Sequence, residues 1–166
     1  MTIIYRRGRK DRIICFYKSY ATSARKELSS LVKKQGFEKI QIHVLATLTR
    51  LKQICCHPAI FAKDTPEVGD SAKYDMLLDL LGSLIEGKHK IVIFSQYTRM
   101  LQIMRHELES LGIRFAYLDG STKNRMEIVK EFNNDPGILV FLVSLKAGGS
   151  GLNLVGADTV IHYDMW

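Results

Sequence analysis

Phe141-Leu-Val-Ser-Leu-Lys-Ala-Gly-Gly-Ser-Gly-Leu-Asn-Leu154 decides how the rest of the chain is read. It opens as the end of an apolar run, Ile138 to Val143, bounded on the other side by Asp135-Pro136-Gly137. A short apolar run between turn signals reads as a strand buried on both faces. The polar segment therefore begins at the carboxyl end of a strand, which in open parallel sheets is the edge where ligands bind. Gly148, Gly149 and Gly151 remove Cβ atoms, so the backbone can take positive φ and a ligand can approach the amides. Lys146 adds a cation, and together these features describe an anion-binding loop suited to phosphate. A glycine-rich turn packed against its own sheet accounts for the same residues. The surrounding sequence has to choose between the two.

Working outward, strand and helix patterns alternate on both sides of this stretch. Ala72 to Glu86 has Leu77, Leu80, Leu81 and Leu84 at helical spacing, with Ser71 placed to cap it and Gly87 to close it. Strand Ile91 to Phe94, helix Thr98 to Leu111 stopping at Gly112, strand Arg114 to Leu118, helix 123–133, strand 138–143 and strand 159–163 follow. Such alternation predicts an α/β domain over 71–166, a parallel sheet with helices on both faces. Towards the N-terminus the texture is all-helical. A helix is expected over 13–34, with Leu28, Leu31 and Val32 as its apolar edge and Gly36 as its stop. A second runs from Glu38 to Cys56, with Leu45, Leu48, Leu51 and Cys55 on one face, and ends at Pro58. Residues 62–70 read as a linker that completes a helical arm over 13–70. Residues 1–12, with Arg6-Arg7-Gly8-Arg9-Lys10 and no apolar period, are expected to be extended or disordered.

The chain's 166 residues make one medium domain, large enough for a core and small for a two-lobed enzyme. No apolar run approaches a membrane span and no signal peptide is recognisable. Cys15, Cys55 and Cys56 form no even framework, which fits a reducing compartment, cytosolic or nuclear. The net charge of +7 lies entirely at the front: through Lys39 there are 11 Lys and Arg against 3 Asp and Glu. That excess suggests affinity for a phosphate backbone, and a solvated basic helix is the plainer alternative.

Three polar loops follow the early strands: Ser95-Gln96-Tyr97-Thr98-Arg99, Asp119-Gly120-Ser121-Thr122, and Ser144 to Asn153. In a parallel sheet all three emerge at one edge, where they would form a surface that follows phosphates. Ser121 or Thr122 could cap the helix behind it and leave amides free for an anion.

Four blocks in order resemble the second RecA-like lobe of the Swi/Snf family of DNA-dependent ATPases, in helicase superfamily two. They are Leu48-Thr-Arg-Leu-Lys-Gln-Ile-Cys-Cys-His-Pro58, Ile91-Val-Ile-Phe-Ser-Gln96, Tyr117-Leu-Asp-Gly-Ser-Thr122, and Ser144 to Leu154. The resemblance implies a double-stranded DNA translocase driven by ATP hydrolysis. It assigns contacts with the tracked strand to Ser95, Gln96, Arg99, Gly120, Ser121, Ser144, Lys146, Ala147 and Gly148. Gly151 and Asn153 would face the nucleotide across a cleft in which ATP and magnesium are shared with a first lobe. That lobe, on the same or a neighbouring polypeptide, would bring the phosphate-binding loop and the carboxylates. The chain is expected to stop before the family's arginine-rich sixth motif, and so to lack ATPase activity when isolated. Localisation would be nucleoid-associated in a bacterium and nuclear in a eukaryote.

Several local patterns compete with this reading. Gly82-Ser-Leu-Ile-Glu-Gly-Lys-His89 imitates a phosphate loop, but His89 replaces the hydroxyl and the segment ends a helix instead of opening one. Cys55, Cys56 and His57 lack a second pair at zinc-ligand spacing, so packing is expected of them. His43, His106 and His162 stand in no ligand constellation, and Met100 and Met104 belong with a packed helix face. Two other function classes stay open: a regulatory or interaction module that kept the lobe fold, and a stand-alone nucleotide-binding enzyme.

Overall fold

A computed structural model describes residues 7–35, 40–61, 71–148 and 151–164. Seven helices and four strands occur among them: α1 (Arg7–Gln35), α2 (Gln41–Cys56), α3 (Pro58–Phe61), α4 (Ala72–Glu86), β1 (Ile91–Ser95), α5 (Thr98–Ser110), β2 (Phe115–Leu118), α6 (Arg125–Asn134), β3 (Val140–Ser144), α7 (Leu145–Gly148) and β4 (Thr159–His162). The chain divides into two compact units, whose boundary falls between Met76 and Leu77.

In the first unit α1 and α2 pack on one another. Helix α1 begins at Arg7, so residues 7–12, expected to be extended, are helical. Arg and Lys are good helix formers, and a helix nucleated further along propagates through them without an apolar face. Residues 1–6 lie outside the described set, as does the linker at 62–70. The packed side of α2 is Val44, Thr47, Leu51 and Ile54, while Leu45, Leu48 and Cys55, expected on the inner face, are exposed. Apolar residues on both sides of this helix made its inner face ambiguous from spacing alone. Helix α2 stops where His57 turns extended ahead of Pro58, as the residue before proline must. Pro58 then opens α3, whose Phe61 ring meets Phe16 and Tyr20 edge-on at 5.9 and 5.1 Å. His57 is buried, and its Nδ1 accepts the N–H of Ala59 at 3.2 Å. Its environment is thus one of packing and a local turn.

The second unit holds a wholly parallel four-stranded sheet in the order β2-β3-β1-β4. Strand β3 is central and buried at every position, in keeping with its uninterrupted apolar run. Alternation along the strands sends Val92, Ala116, Leu118, Phe141 and Val143 to one face, where they pack with Val129 and Phe132 of α6. The rings of Phe132 and Phe141 lie 5.0 Å apart at the centre of that layer. Ile91, Ile93, Val140 and Leu142 project to the opposite face, and α5 packs on β1 and β3 through buried Met100, Leu101, Met104 and Leu108. The helices thus cover both faces of a parallel sheet.

Helix ends follow local chemistry. Ser71 caps α4, its Oγ accepting the N–H of Tyr74 at 3.4 Å and its carbonyl that of Asp75 at 2.9 Å. Helix α5 closes at Gly112 with φ +67, where glycine takes the left-handed turn at no steric cost. At the end of α4 the same turn falls on Lys88, φ +59, with His89 N–H donating to Leu84 and Lys88 N–H to Ile85. This is a helix terminator, and it removes Gly82 to His89 from consideration as a phosphate loop.

Candidate nucleic-acid interface

The register of the sheet sets the candidate site. Ser95 pairs with Ser144, while Phe94 and Leu118 both pair with Val143, so β1, β2 and β3 end at the same level. Neighbouring strands lie about 4.8 Å apart, which separates the ends of β1 and β2 by about 10 Å with β3 between them. The three polar loops therefore leave one edge in the order Asp119–Thr122, Ser144–Gly148, Ser95–Arg99. Lys146, on the middle loop, stands between the other two.

The residues expected at the site divide by exposure. Gly120, Ser121, Lys146 and Arg99 are exposed, and Gln96 and Gly148 half-buried. Ser95, Ser144 and Ala147 are buried. The hydroxyl of Ser95 donates to Asp164 Oδ2, and the Gln96 N–H donates to Asp164 Oδ1 at 2.8 Å. Ser95 Oγ also accepts the N–H of Tyr97 at 3.1 Å. Asp164, just beyond β4, thus fixes the path of the first loop from beneath. Sequence reading did not single out Asp164, because 69 residues separate it from Ser95.

The second loop is built differently from expectation. Ser121 and Thr122 do not cap α6, whose N-cap is Asn124 without a side-chain bond. Asp119 draws them into its own turn instead: Oδ1 accepts the Ser121 N–H at 2.9 Å and the Ser121 hydroxyl at 2.6 Å, while Thr122 Oγ1 accepts the Asp119 N–H at 3.0 Å. An Asx turn satisfies donors nearer in sequence than the helix start, so it wins the competition. These bonds, the Ser121 hydroxyl first, hold the Asp119 carboxyl below its ordinary range. Tyr117 donates to Asp119 Oδ2 at 3.1 Å, and burial, followed by that bond, pushes its phenol up to about 12.

In the third loop the residues after β3 form one helical turn, α7. A Cβ on Gly148 would stand 2.7 Å from Phe94 Cε1, and the Phe94 ring stacks on His162 at 5.2 Å. Close packing explains this glycine. Gly151 takes φ +60 with open space where a Cβ would sit, so here the backbone conformation calls for glycine. Gly149 and Ser150 lie outside the described residues. Asn133, at the end of α6, holds the returning chain: its Nδ2 donates to the Asn153 carbonyl at 2.9 Å and its Oδ1 accepts the Gly156 N–H at 3.0 Å. The Asn153 side chain remains exposed. Among the described residues no group of three or more His, Cys, Asp or Glu converges as metal ligands, and no helix is long and apolar enough to cross a membrane.

A parallel sheet with helices on both faces and three polar loops along one carboxyl edge defines the class: a RecA-like lobe. Comparison with known proteins makes this specific. The family model described as helicase conserved C-terminal domain matches residues 72–166. The chain is 50% identical over 97 residues to the protein CHROMATIN REMODELING 19 of Arabidopsis thaliana, covering 57% of this chain and 13% of that one. It superposes on the Sulfolobus solfataricus SWI2/SNF2 ATPase C-terminal domain with TM-score 0.76 and 31% identity, over 94% of this chain and 68% of that one. A second match is the Sulfolobus solfataricus SWI2/SNF2 ATPase core in complex with dsDNA, with TM-score 0.78 and 28% identity, over 93% of this chain and 33% of that one. The chain belongs to the helicase C-terminal domain family, as a Swi/Snf-type lobe of superfamily two. It spans 13% and 6% of the lengths of the Arabidopsis protein and of the Yarrowia lipolytica helicase SWR1, which it also resembles.

Proposed function

We propose that this chain acts as the second motor lobe of an ATP-dependent double-stranded DNA translocase. The observation that carries this reading is the rim order: Ser121 and Gly120, then Lys146, then Gln96 and Arg99, along adjacent parallel strands. Lys146 contributes charge and Gln96 a side-chain amide, while the N–H groups of Gln96, Tyr97 and Ser121 are spent in holding their own loops in shape, so the rim meets phosphates through side chains and without reading bases. Ser95, Ser144 and Ala147 shape the loops from beneath, and Gly148 lets the third loop lie against Phe94. The charge of Asp119 is engaged by the hydroxyls and N–H beside it, so it repels a phosphate chain less than a free carboxylate.

Gly151 and Asn153 fit one wall of a nucleotide site: an open backbone turn beside an exposed amide whose main chain Asn133 fixes. They do not fit a magnesium cage, and the carboxylates for the metal would come from a first RecA-like lobe. Bound ATP would supply the phosphoryl group whose hydrolysis drives stepping. This chain's residues would hold the DNA and close the cleft.

The test is to mix the chain with a separately expressed first lobe and measure phosphate release with and without duplex DNA. Turnover that needs both polypeptides and rises with DNA is expected. Turnover by this chain alone overturns the division of labour, and no stimulation in the mixture favours a non-catalytic interaction module.

A further inference from the structure

Helix α1 carries a second charged surface, outside the residues matched by the helicase family model. At about 100° per residue, Phe16, Tyr20, Ala24, Leu28 and Leu31 fall in one arc, and these are buried or half-buried positions. The opposite arc holds Lys18, Thr22, Arg25, Lys26, Ser29 and Lys33, all exposed. These six occupy an arc of about 100° and, at 1.5 Å per residue, about 22 Å of helix. Glu27 is rotated about 150° from the middle of the stripe by the same geometry. Its charge acts instead on Arg50 of α2, which is engaged first by Tyr20. Lys18, Arg25, Lys26 and Lys33 thus lie on the side of the helix away from Glu27.

The chemistry of the stripe narrows its ligand. Ser29 and Ser30 donate their hydroxyls to the carbonyls of Arg25 and Glu27 at 2.8 and 2.7 Å, so those protons are spent within the helix. What remains is a line of flexible cations. Exposed Ile14 and Val32 border the arc, about 20° beyond Arg25, and no aromatic side chain falls within it, so base stacking is not on offer. Affinity must then come from charge density along a line. Duplex DNA presents one charge per roughly 1.7 Å of axis and releases condensed counterions when cations replace them. An extended acidic peptide carries at most one charge per roughly 3.3 Å, about half the linear charge density of the duplex.

We infer that this stripe is a second, sequence-independent docking surface for the sugar-phosphate backbone of duplex DNA. The inference rests on the reading that the chain engages duplex DNA, and it concerns a different unit from the loop rim. The experiment is fluorescence anisotropy of the full chain with a labelled 25-base-pair duplex of random sequence, titrated across salt. Arg25→Gln, Lys26→Gln and Lys33→Gln together should lower the slope of log affinity against log salt by about 2 to 3, at about 0.9 per neutralised phosphate. Affinity near 0.1 M salt should fall about 10- to 100-fold by the same relation. The replaced side chains are solvated and glutamine is a good helix former, so helical ellipticity should hold. If it does not, Lys18→Gln with Lys33→Gln should lower the slope by about 1.8.

A slope within about 0.5 of the parent in the variants, or no duplex binding by the parent chain, overturns the inference. So does displacement by poly-L-glutamate as effective, per charge, as by unlabelled duplex, which would mark a surface for acidic peptides. Lys146→Ala separates the two surfaces. Loss of slope with Lys146→Ala alone leaves the rim and removes the α1 stripe, and loss with the α1 variants alone does the reverse.

Discussion

Replacing Asp164 by Ala tests how the first loop is held. Asp164 is 5% exposed and accepts the Ser95 hydroxyl and the Gln96 N–H. A hydrogen bond to a charged acceptor is worth about 1.5–3 kcal/mol, and a buried donor left unmet costs about 1–3 kcal/mol. The Ser95 hydroxyl has a fallback, since it lies 3.4 Å from the Tyr97 carbonyl. The uncompensated loss therefore centres on the Gln96 N–H, and Asp164→Ala should destabilise by about 2–4 kcal/mol. Asp164→Asn keeps an acceptor for that N–H and lets Ser95 Oγ accept in turn, so it should cost about 1 kcal/mol. Ser95→Ala combined with Asp164→Ala should fall short of the sum of the single costs by about 1–2 kcal/mol, as contacting residues do. Urea unfolding followed by far-ultraviolet circular dichroism at constant slope measures all four variants. An Asp164→Ala protein within about 0.5 kcal/mol of the parent, or additive single costs, would refute the idea that this carboxylate organises the loop.

Gly148→Ala should destabilise by about 1–3 kcal/mol by overpacking, because the new methyl would sit 2.7 Å from Phe94 Cε1. Phe94→Leu in the same chain should recover part of that in urea unfolding, and no recovery would show that the ring is not the obstacle. Lys88→Gly should stabilise by about 0.5–1 kcal/mol, the relief of a left-handed residue less the greater freedom of glycine in the unfolded chain. A lower melting temperature would count against the terminator described for α4. Asp119, held below the ordinary carboxylate range first by the Ser121 hydroxyl, contributes stability that is fully present above that ordinary range and lost as the pH falls through its lower folded value. Asp119→Asn should therefore flatten the dependence of unfolding free energy on pH in the acid range, and an unchanged curve would remove Asp119 from that account.

Much of the architecture is written in nearest-neighbour chemistry. The apolar run ending in Val143 is a buried strand because it is short, uninterrupted and bounded by Asp135-Pro136-Gly137. Ser71 caps and Gly112 terminates because one offers a side-chain acceptor and the other tolerates positive φ. The glycine and hydroxyl blocks after the strands were legible for the same reason, and their order along the chain was enough to reveal the family.

Which groups meet was another matter. Strands β1 and β2 follow one another in sequence, yet β3 lies between them, and this puts Lys146 at the middle of the rim. Nothing local announces that Asp164 closes on Ser95, that Asn133 clamps the chain at Asn153 and Gly156, or that Gly148 is small because of Phe94. On α2, apolar residues on both sides left spacing unable to choose Val44 and Ile54 over Leu45 and Leu48. Periodicity and turn chemistry act over a few residues, and so the sequence by itself determined the elements and their kind. A buried donor or a packed ring takes its partner from whichever distant segment the fold delivers, so only the tertiary structure decided how the loops are held.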